Sequence, residues 1–494
     1  MPNPKISKPK VFRLFDNLPK APQNFLEFAK KYGKLFNELN KIRILFVNGL
    51  NNFVFLPPIL IKGNFMDKQV LKQILRDNQL EVERYIVEPR ELLLDDFPCR
   101  VLVGVRRAGK SYLLYHRIQQ LLSEGKKWNE ILYLNFEDER LEDFGTEDFN
   151  KLLECHQEMY GKRPMLFFDE VQNVDNWHKF ARRMADSQYT IFITGSNAKM
   201  LSGEINTTLG GRFLTTEVYP YSFKEFLSVR RVPTSETDLL TTEGRACVVR
   251  HFDEYLYYGG LPAAAKMPAK RNYLSSVYQK IYLGDIIARN KITNMAGIRI
   301  LVRKMAESVC RAISYNRINH LLSSVGGKLS LATTIKYIEY CEDAWLLLRL
   351  RNYASSLAEK ESNCKYYFID NGILGLFLID KDTMLLENIV ALQLFRIYGH
   401  DRDNERVFFY SDVHEVDFYI PEDELAIQVC YTLHDDDTLK RETEALQKLP
   451  KRLPCKRRLI LTYDEETQLE DKHGTIEVIP TWKWLLNVIA DISN

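Results

Sequence analysis

Between residues 66 and 220 the chain alternates short apolar runs with helical patterns. The runs are Val101-Leu-Val103, Ile131–Glu137, the apolar part of Pro164–Glu170, Tyr189–Asn197 and Phe213–Tyr219, the last set off by Gly210-Gly211-Arg212. Unbroken rather than alternating hydrophobicity fits strands covered on both faces, as parallel strands between helices are. The pattern therefore predicts an α/β class with a parallel doubly wound sheet. Met66-Asp-Lys-Gln-Val-Leu-Lys-Gln-Ile-Leu starts an amphipathic helix ahead of that sheet.

Beyond the sheet the period changes. Residues 221–292 are rich in helix formers and aromatics, with Tyr258-Gly-Gly-Leu-Pro262 marking a helix end. Residues 314–325 have the spacing of a short helix, Gly326-Gly327 supplies a turn, and Ser330 is placed to cap a helix over 331–343. Strands over 345–351 and 365–369 follow, which completes a helix-turn-helix with a wing. The second helix of that unit carries Lys336 as its only cation against Glu339, Glu342 and Asp343. Carboxylates facing phosphate would repel it, so packing is favoured over base readout; Arg349 and Arg351 leave a backbone contact open.

Chemistry enters at Gly104-Val105-Arg106-Arg107-Ala108-Gly109-Lys110-Ser111-Tyr112, which fits GxxxxGK[ST]. Successive backbone N–H groups of such a loop wrap a phosphate, and the helix it opens favours the same negative charge. Lys110 is expected along the β- and γ-phosphates and the Ser111 hydroxyl on Mg²⁺. Met165-Leu-Phe-Phe-Asp169-Glu170 then brings two carboxylates to the edge where open α/β sheets bind ligands. Asp169 suits the metal and Glu170 the attacking water. No NKxD guanine-reading tetrapeptide follows, which favours ATP. Asn197 stands at the mouth of the fourth strand, where it would sense the γ-phosphate. Arg212 precedes the fifth, where an arginine finger acting on a neighbouring subunit and a plain carboxylate partner are equally open readings.

These features resemble the AAA+ superfamily, and within it a group of prokaryotic ATP-binding proteins. The matching residues are Gly104, Arg106, Arg107, Gly109, Lys110, Ser111, Thr194-Gly195-Ser196, Gly211-Arg212, Pro220–Phe226 and Tyr258–Pro262. The resemblance runs from about residue 66 onward. It implies a P-loop ATPase core (66–220), a helical lid (221–292), a winged-helix-like segment (293–362) and a restriction-endonuclease-like α/β domain (363–494). Taken together with the motif residues, the expected activity is Mg²⁺-dependent ATP hydrolysis that rearranges the C-terminal domains on a client, either DNA or protein. Two other readings stay open: a slow ATP-dependent binding switch, and an ATP-gated nuclease. Oligomerisation is compatible with the Arg212 role.

The nuclease pattern is degenerate. Glu387 and Asp417 are in place, but the [DE]xK positions hold Gln428 and Cys430. An amide brings no negative charge and a thiol does not replace an ammonium at neutral pH, so this domain is expected to lack nuclease activity. Lys448, Lys451, Arg452, Lys456, Arg457 and Arg458 form a basic run that reads either as a solvated loop or as a phosphate contact.

Composition narrows the setting. With 45% hydrophobic and 27% charged residues the 494-residue chain is an ordinary globular one. Its eight cysteines are scattered without a CxxC pair, which excludes a sequence-evident zinc site or disulfide frame and fits a reducing cytoplasm. Residues 1–65 differ: eleven Lys/Arg against three Asp/Glu give +8, and the rest is +2 − 8 = −6. The apolar run from Ile42 to Ile61 is too interrupted to span a bilayer, so no membrane partner is expected. This segment reads as a basic extension with little order, and the functional chain is expected to start at Met66.

Overall fold

The computed structural model describes residues 44–45, 54–55, 66–94, 97–196, 209–324, 329–353, 356, 360, 362–379, 382–399 and 406–492. Contacts divide the chain into two compact units, Met1–Phe65 and Met66–Asn494. Within the first, two-residue strands at Ile44–Leu45 and Val54–Phe55 pair antiparallel.

The second unit opens with helix α1 (Lys68–Arg84), capped by Asp67, whose side chain accepts from the Gln69 amide. Five strands follow: β1 (Cys99–Val103), β2 (Ile131–Asn135), β3 (Met165–Asp169), β4 (Ile191–Gly195) and β5 (Leu214–Glu217). They form one parallel sheet in the order β2-β3-β4-β1-β5. The expected strands are all present, trimmed at their ends. Helices α2 (Lys110–Ser123), α3 (Asp148–Tyr160) and α4 (Trp177–Asp186) provide the crossovers. Leu166, Phe167 and Phe168 of β3 are buried to 1% exposure or less, as strands between two helical layers must be. Phe149 of α3 stacks on Phe180 of α4 with ring centroids 4.3 Å apart. Such a pair adds about 0.5–1.5 kcal/mol beyond its area burial.

This order puts β1 between β4 and β5, so the chain reverses its direction of travel across the sheet beside β1. Open α/β sheets bind ligands at such a point, outside the C-terminal strand ends. The Gly104 loop leaves β1 there, and Asp169 and Glu170 leave β3 two strands away.

The helical segment contains α5 (Phe223–Val229), α6 (Thr242–Tyr258) and α7 (Lys270–Lys280). The last continues as a π-helical stretch over Ile281–Ala288, and α8 (Met295–Glu307) follows. Helices α9 (Tyr315–Ser324) and α10 (Leu331–Asp343) fall where the periodicity put them. Ser330 caps α10 by accepting from the Thr333 amide at 3.1 Å; Gly326-Gly327 lies outside the described residues. A small antiparallel sheet comprises β6 (Ile313–Ser314), β7 (Leu347–Leu350) and β8 (Asn363–Phe368), with β8 central.

The C-terminal part places α11 (Asp382–Tyr398) beside a six-stranded mixed sheet. Its strands are β9 (Phe408–Ser411), β10 (Glu415–Ile420), β11 (Leu425–Val429), β12 (Arg457–Thr462), β13 (Thr467–Asp471) and β14 (Gly474–Pro480). Their order is β9-β10-β11-β12-β14-β13. Among the described residues no helix is long and apolar enough to cross a membrane.

Candidate nucleotide-binding cleft

The loop after β1 is shaped by backbone conformation. Gly104 has φ +152°, and a Cβ there would sit 2.1 Å from the Val218 carbonyl oxygen, so only glycine lets the loop pass the end of β5. Arg107 (φ 68°) and Gly109 (φ 98°) are left-handed, which turns the loop into the first turn of α2. No side chain caps that turn, leaving its N–H groups directed at the cleft. Val105 and Ala108 are fully buried, so they offer backbone alone, whereas Tyr112 is exposed at the rim. Lys110, 3% exposed, donates to the Gly104 and Val105 carbonyls, each at 3.1 Å, and lies 3.6 Å from the Glu170 carboxylate.

The two carboxylates differ although adjacent. Burial, then the neighbouring Glu170 charge, pushes the Asp169 pKa up to about 6, against Thr194, Ser111 and Lys110. Thr194 donates to its Oδ1, and Tyr133 donates to its Oδ2 at 3.1 Å. Burial acts on Glu170 in the same direction, but Lys110, the Gln172 amide, Arg106 and Ser196 together hold its pKa below the ordinary range. Glu170 is itself left-handed (φ 51°), and its amide donates to the Thr194 hydroxyl at 2.9 Å. The Gln172 amide nitrogen donates to its carboxylate. An oxygen-only donor set with one carboxylate and one hydroxyl, Asp169 and Ser111, fits a hard divalent cation such as Mg²⁺.

Two arginines fix the loop from outside. Arg90 donates to the Ala108 carbonyl at 3.0 Å, the Tyr219 carbonyl at 3.0 Å and Glu225 at 2.6 Å. Arg106 binds Asp285 in bidentate fashion at 2.9 and 3.0 Å and Glu137 at 2.6 Å. Asp285 sits in the π-helical stretch, so a residue of the phosphate loop is held by the helical segment. Neither Arg90 nor Asp285 was legible as a site residue, because the bonds from Arg90 to Tyr219 and Glu225 and from Arg106 to Asp285 span more than a hundred positions.

Together these elements enclose a cleft of about 500 Å³. Its lining includes Arg106, Arg107, Lys110, Lys266 and Lys280 as cations, Ser111 and Glu170, and the apolar and aromatic side chains of Ile86, Tyr112, Tyr221, Pro262 and Met267. Cations together with apolar and aromatic walls suit a nucleoside polyphosphate. Of the expected site residues, Arg106, Arg107, Gly109, Lys110, Ser111, Tyr112 and Glu170 line this cleft, while Gly104, Val105, Ala108 and Asp169 are buried. Arg212 does not line it: its guanidinium pairs with Asp186 at the end of α4. Asn197 lies outside the described residues.

A family model described as "AAA domain" matches residues 96–227, and one described as "Domain of unknown function (DUF8612)" matches residues 249–383. Uncharacterized protein MJ1544 of Methanocaldococcus jannaschii is 34% identical over 443 residues, covering 87% of this chain and 98% of the relative. An uncharacterized protein of Haemophilus influenzae is 30% identical over 424 residues, with 82% and 98% covered. Among solved structures, the Walker-type ATPase PABY2304 of Pyrococcus abyssi overlaps 64% of this chain and 97% of its own, with TM-score 0.33 and 14% identity. Over nearly the full length of its relative the chain belongs to the family of MJ1544, and its AAA-type ATPase domain makes it a member of the AAA+ superfamily.

Proposed function

We propose that the chain is a Mg²⁺-dependent ATPase whose hydrolysis cycle repositions the segments after the sheet on a client macromolecule. The observation that carries this reading is the convergence of Lys110, Asp169 and Glu170 in one buried corner, with Glu170 3.6 Å from the ammonium. Lys110 and the amides at the start of α2 would take the β- and γ-phosphates, and Ser111 and Asp169 would hold the Mg²⁺. When bound, the ion supplies charge neutralisation on the phosphate oxygens. Glu170, kept ionised, would orient and polarise the water. The lid, winged-helix-like and endonuclease-like divisions at 221–292, 293–362 and 363–494 belong to this proposal. So do a trans role for Arg212, which its Asp186 partner would have to release, and a γ-phosphate contact from Asn197.

Transmission is supported by shared hydrogen bonds. Asp370 accepts from the Gly260 amide at 2.8 Å, in the turn whose next residues, Pro262 and Ala263, line the cleft. Asn371 donates to the carbonyls of Leu256 in α6 and Leu385 in α11. A change in the cleft wall would thus reach α11 directly.

A protein client is favoured over DNA by how the cations are used. Arg349 is paired with the buried Glu342 at 3.3 Å. In the basic run, Lys448 meets Glu444, Arg452 meets Asp412, Lys456 meets Glu424, Arg457 meets Glu477 and Arg458 meets Asp471. Cations already neutralised release few counterions on phosphate binding.

The slow-switch reading has its own support, since Glu170 must leave Gln172 and Lys110 before it can serve a water. Turnover of wild type and Glu170→Gln, with capture of bound partners in a non-hydrolysable ATP analogue, separates the two. Hydrolysis-driven action predicts that the variant retains ATP, stops turnover and changes partner release. Unchanged partner binding and release favours the switch. Capture that survives nuclease treatment identifies a protein client, and capture abolished by it identifies nucleic acid.

A further inference from the structure

Away from the cleft, Lys365 of β8 has no exposed surface. Its ammonium lies 2.9 Å from Asp417 and 2.9 Å from Glu415, both of β10, and 3.4 Å from Glu387 of α11. Asp417 and Glu387 are the carboxylates that the endonuclease-like pattern would turn toward a divalent metal. They do not fit one here. A Mg²⁺ ion demands near-octahedral oxygen ligands at about 2.0–2.1 Å. Asp417 spends Oδ1 on Lys365 and Oδ2 on the Val429 amide at 3.0 Å. Glu387 Oε1 accepts from the Tyr367 hydroxyl at 2.8 Å as well as from Lys365. Gln428, at the position of the missing acid, turns Oε1 to the Asp417 amide at 2.7 Å and its nitrogen to Glu442 at 2.6 Å. Among the described residues no group of three or more His, Cys, Asp or Glu side chains is arranged to hold a metal ion.

We propose that Lys365 is a resident counter-ion: its ammonium takes the place of a divalent cation in the acidic pocket of the C-terminal part. The pocket then works as a metal-free clasp joining β8 of the small sheet to α11 and to β10 of the large one. The ion-pair geometry supports the assignment: one buried ammonium at 2.9 Å from both Asp417 and the half-exposed Glu415, and 3.4 Å from Glu387, already supplies the pocket with a cation. The lysine absent from position 430 is not restored in function by this one, since its three N–H donors point into carboxylates. The assignment stands whether or not the ATPase reading holds.

The test is Mn²⁺ binding to the nucleotide-free, full-length protein, counted by electron paramagnetic resonance. Wild type and Asp417→Asn should bind equal, substoichiometric amounts. Lys365→Ala should gain one Mn²⁺ per chain, and the double variant with Asp417→Asn should lose it again. A stoichiometric Mn²⁺ in wild type that Asp417→Asn removes would overturn the proposal, as would a folded Lys365→Ala that gains none. Lys365→Met, closer in volume, replaces the alanine variant if that fails to fold. Should both fail, the wild-type and Asp417→Asn pair still decides.

Discussion

The chain holds two buried clusters built from the same ingredients, carboxylates beside one lysine, and they are opposite in what they leave available. In the cleft, Lys110 satisfies itself on two backbone carbonyls and stands off from Glu170 at 3.6 Å. In the C-terminal part, Lys365 sits at 2.9 Å from two carboxylates, Val429 donates to the second Asp417 oxygen and Tyr367 donates to Glu387. Lys110 and Glu170 of the first cluster line a 500 Å³ cleft, whereas the Lys365 ammonium of the second is wholly enclosed. Access to the charged groups, more than the inventory of acids and lysines, separates the two.

Substitutions at the two sites should break in different ways. The largest effect is expected from Glu170→Gln, which would remove the proposed water-polarising base. Steady-state phosphate release should fall by about 10²–10⁴-fold while nucleotide is still retained on a filter. Next is Lys365→Ala, which leaves Asp417 buried without its partner. Denaturant unfolding should show a loss of about 3–5 kcal/mol, with ATP turnover at low temperature nearly intact. That contrast, catalysis lost in one and stability in the other, is the comparison in its sharpest form.

Smaller is Asp370→Asn, which presents an amide nitrogen where one of the Gly260 and Ile373 amides needs an acceptor. A cost of about 1–3 kcal/mol in stability is expected, together with weaker ATP binding in calorimetry, because the same turn carries Pro262 to the cleft. The smallest concerns pH. Asp169 titrates at about 6, above the 3.8 of an unperturbed aspartate. Its folded pKa is raised, so ionisation costs the nucleotide-free fold stability as pH rises from about 4 to 6; below that window the penalty is absent. Protonated Asp169 cannot hold a cation. Metal-dependent nucleotide affinity should therefore fall by about tenfold per pH unit below 6, and Asp169→Asn should flatten that slope.

The cleft was largely legible in the sequence because its chemistry is local. Gly104 to Ser111 is one loop, and Asp169-Glu170 is one strand end, so spacing alone brings the right groups to the sheet edge. What stayed hidden depends on partners far along the chain. Arg90, which donates to the Ala108 carbonyl, is held in turn by Glu225, and Arg106 is held by Asp285 from the π-helical stretch. The C-terminal pattern was readable as degenerate from Gln428 and Cys430. Lys365, which settles the electrostatics there, precedes Asp417 by 52 residues and reaches it only because β8 packs against α11 and β10. Arg349 and, in the basic run, Lys448, Arg452, Lys456, Arg457 and Arg458, which composition leaves open for phosphate, are occupied by Glu342 and by neighbouring carboxylates.

The central claim is that the Gly104 loop cradles a triphosphate. Isothermal titration of the nucleotide-free protein with a non-hydrolysable ATP analogue and Mg²⁺ tests it most directly, run beside Lys110→Ala. The account predicts one binding event per chain in wild type and its loss in the variant. No heat in wild type, or the same heat in both, would contradict it.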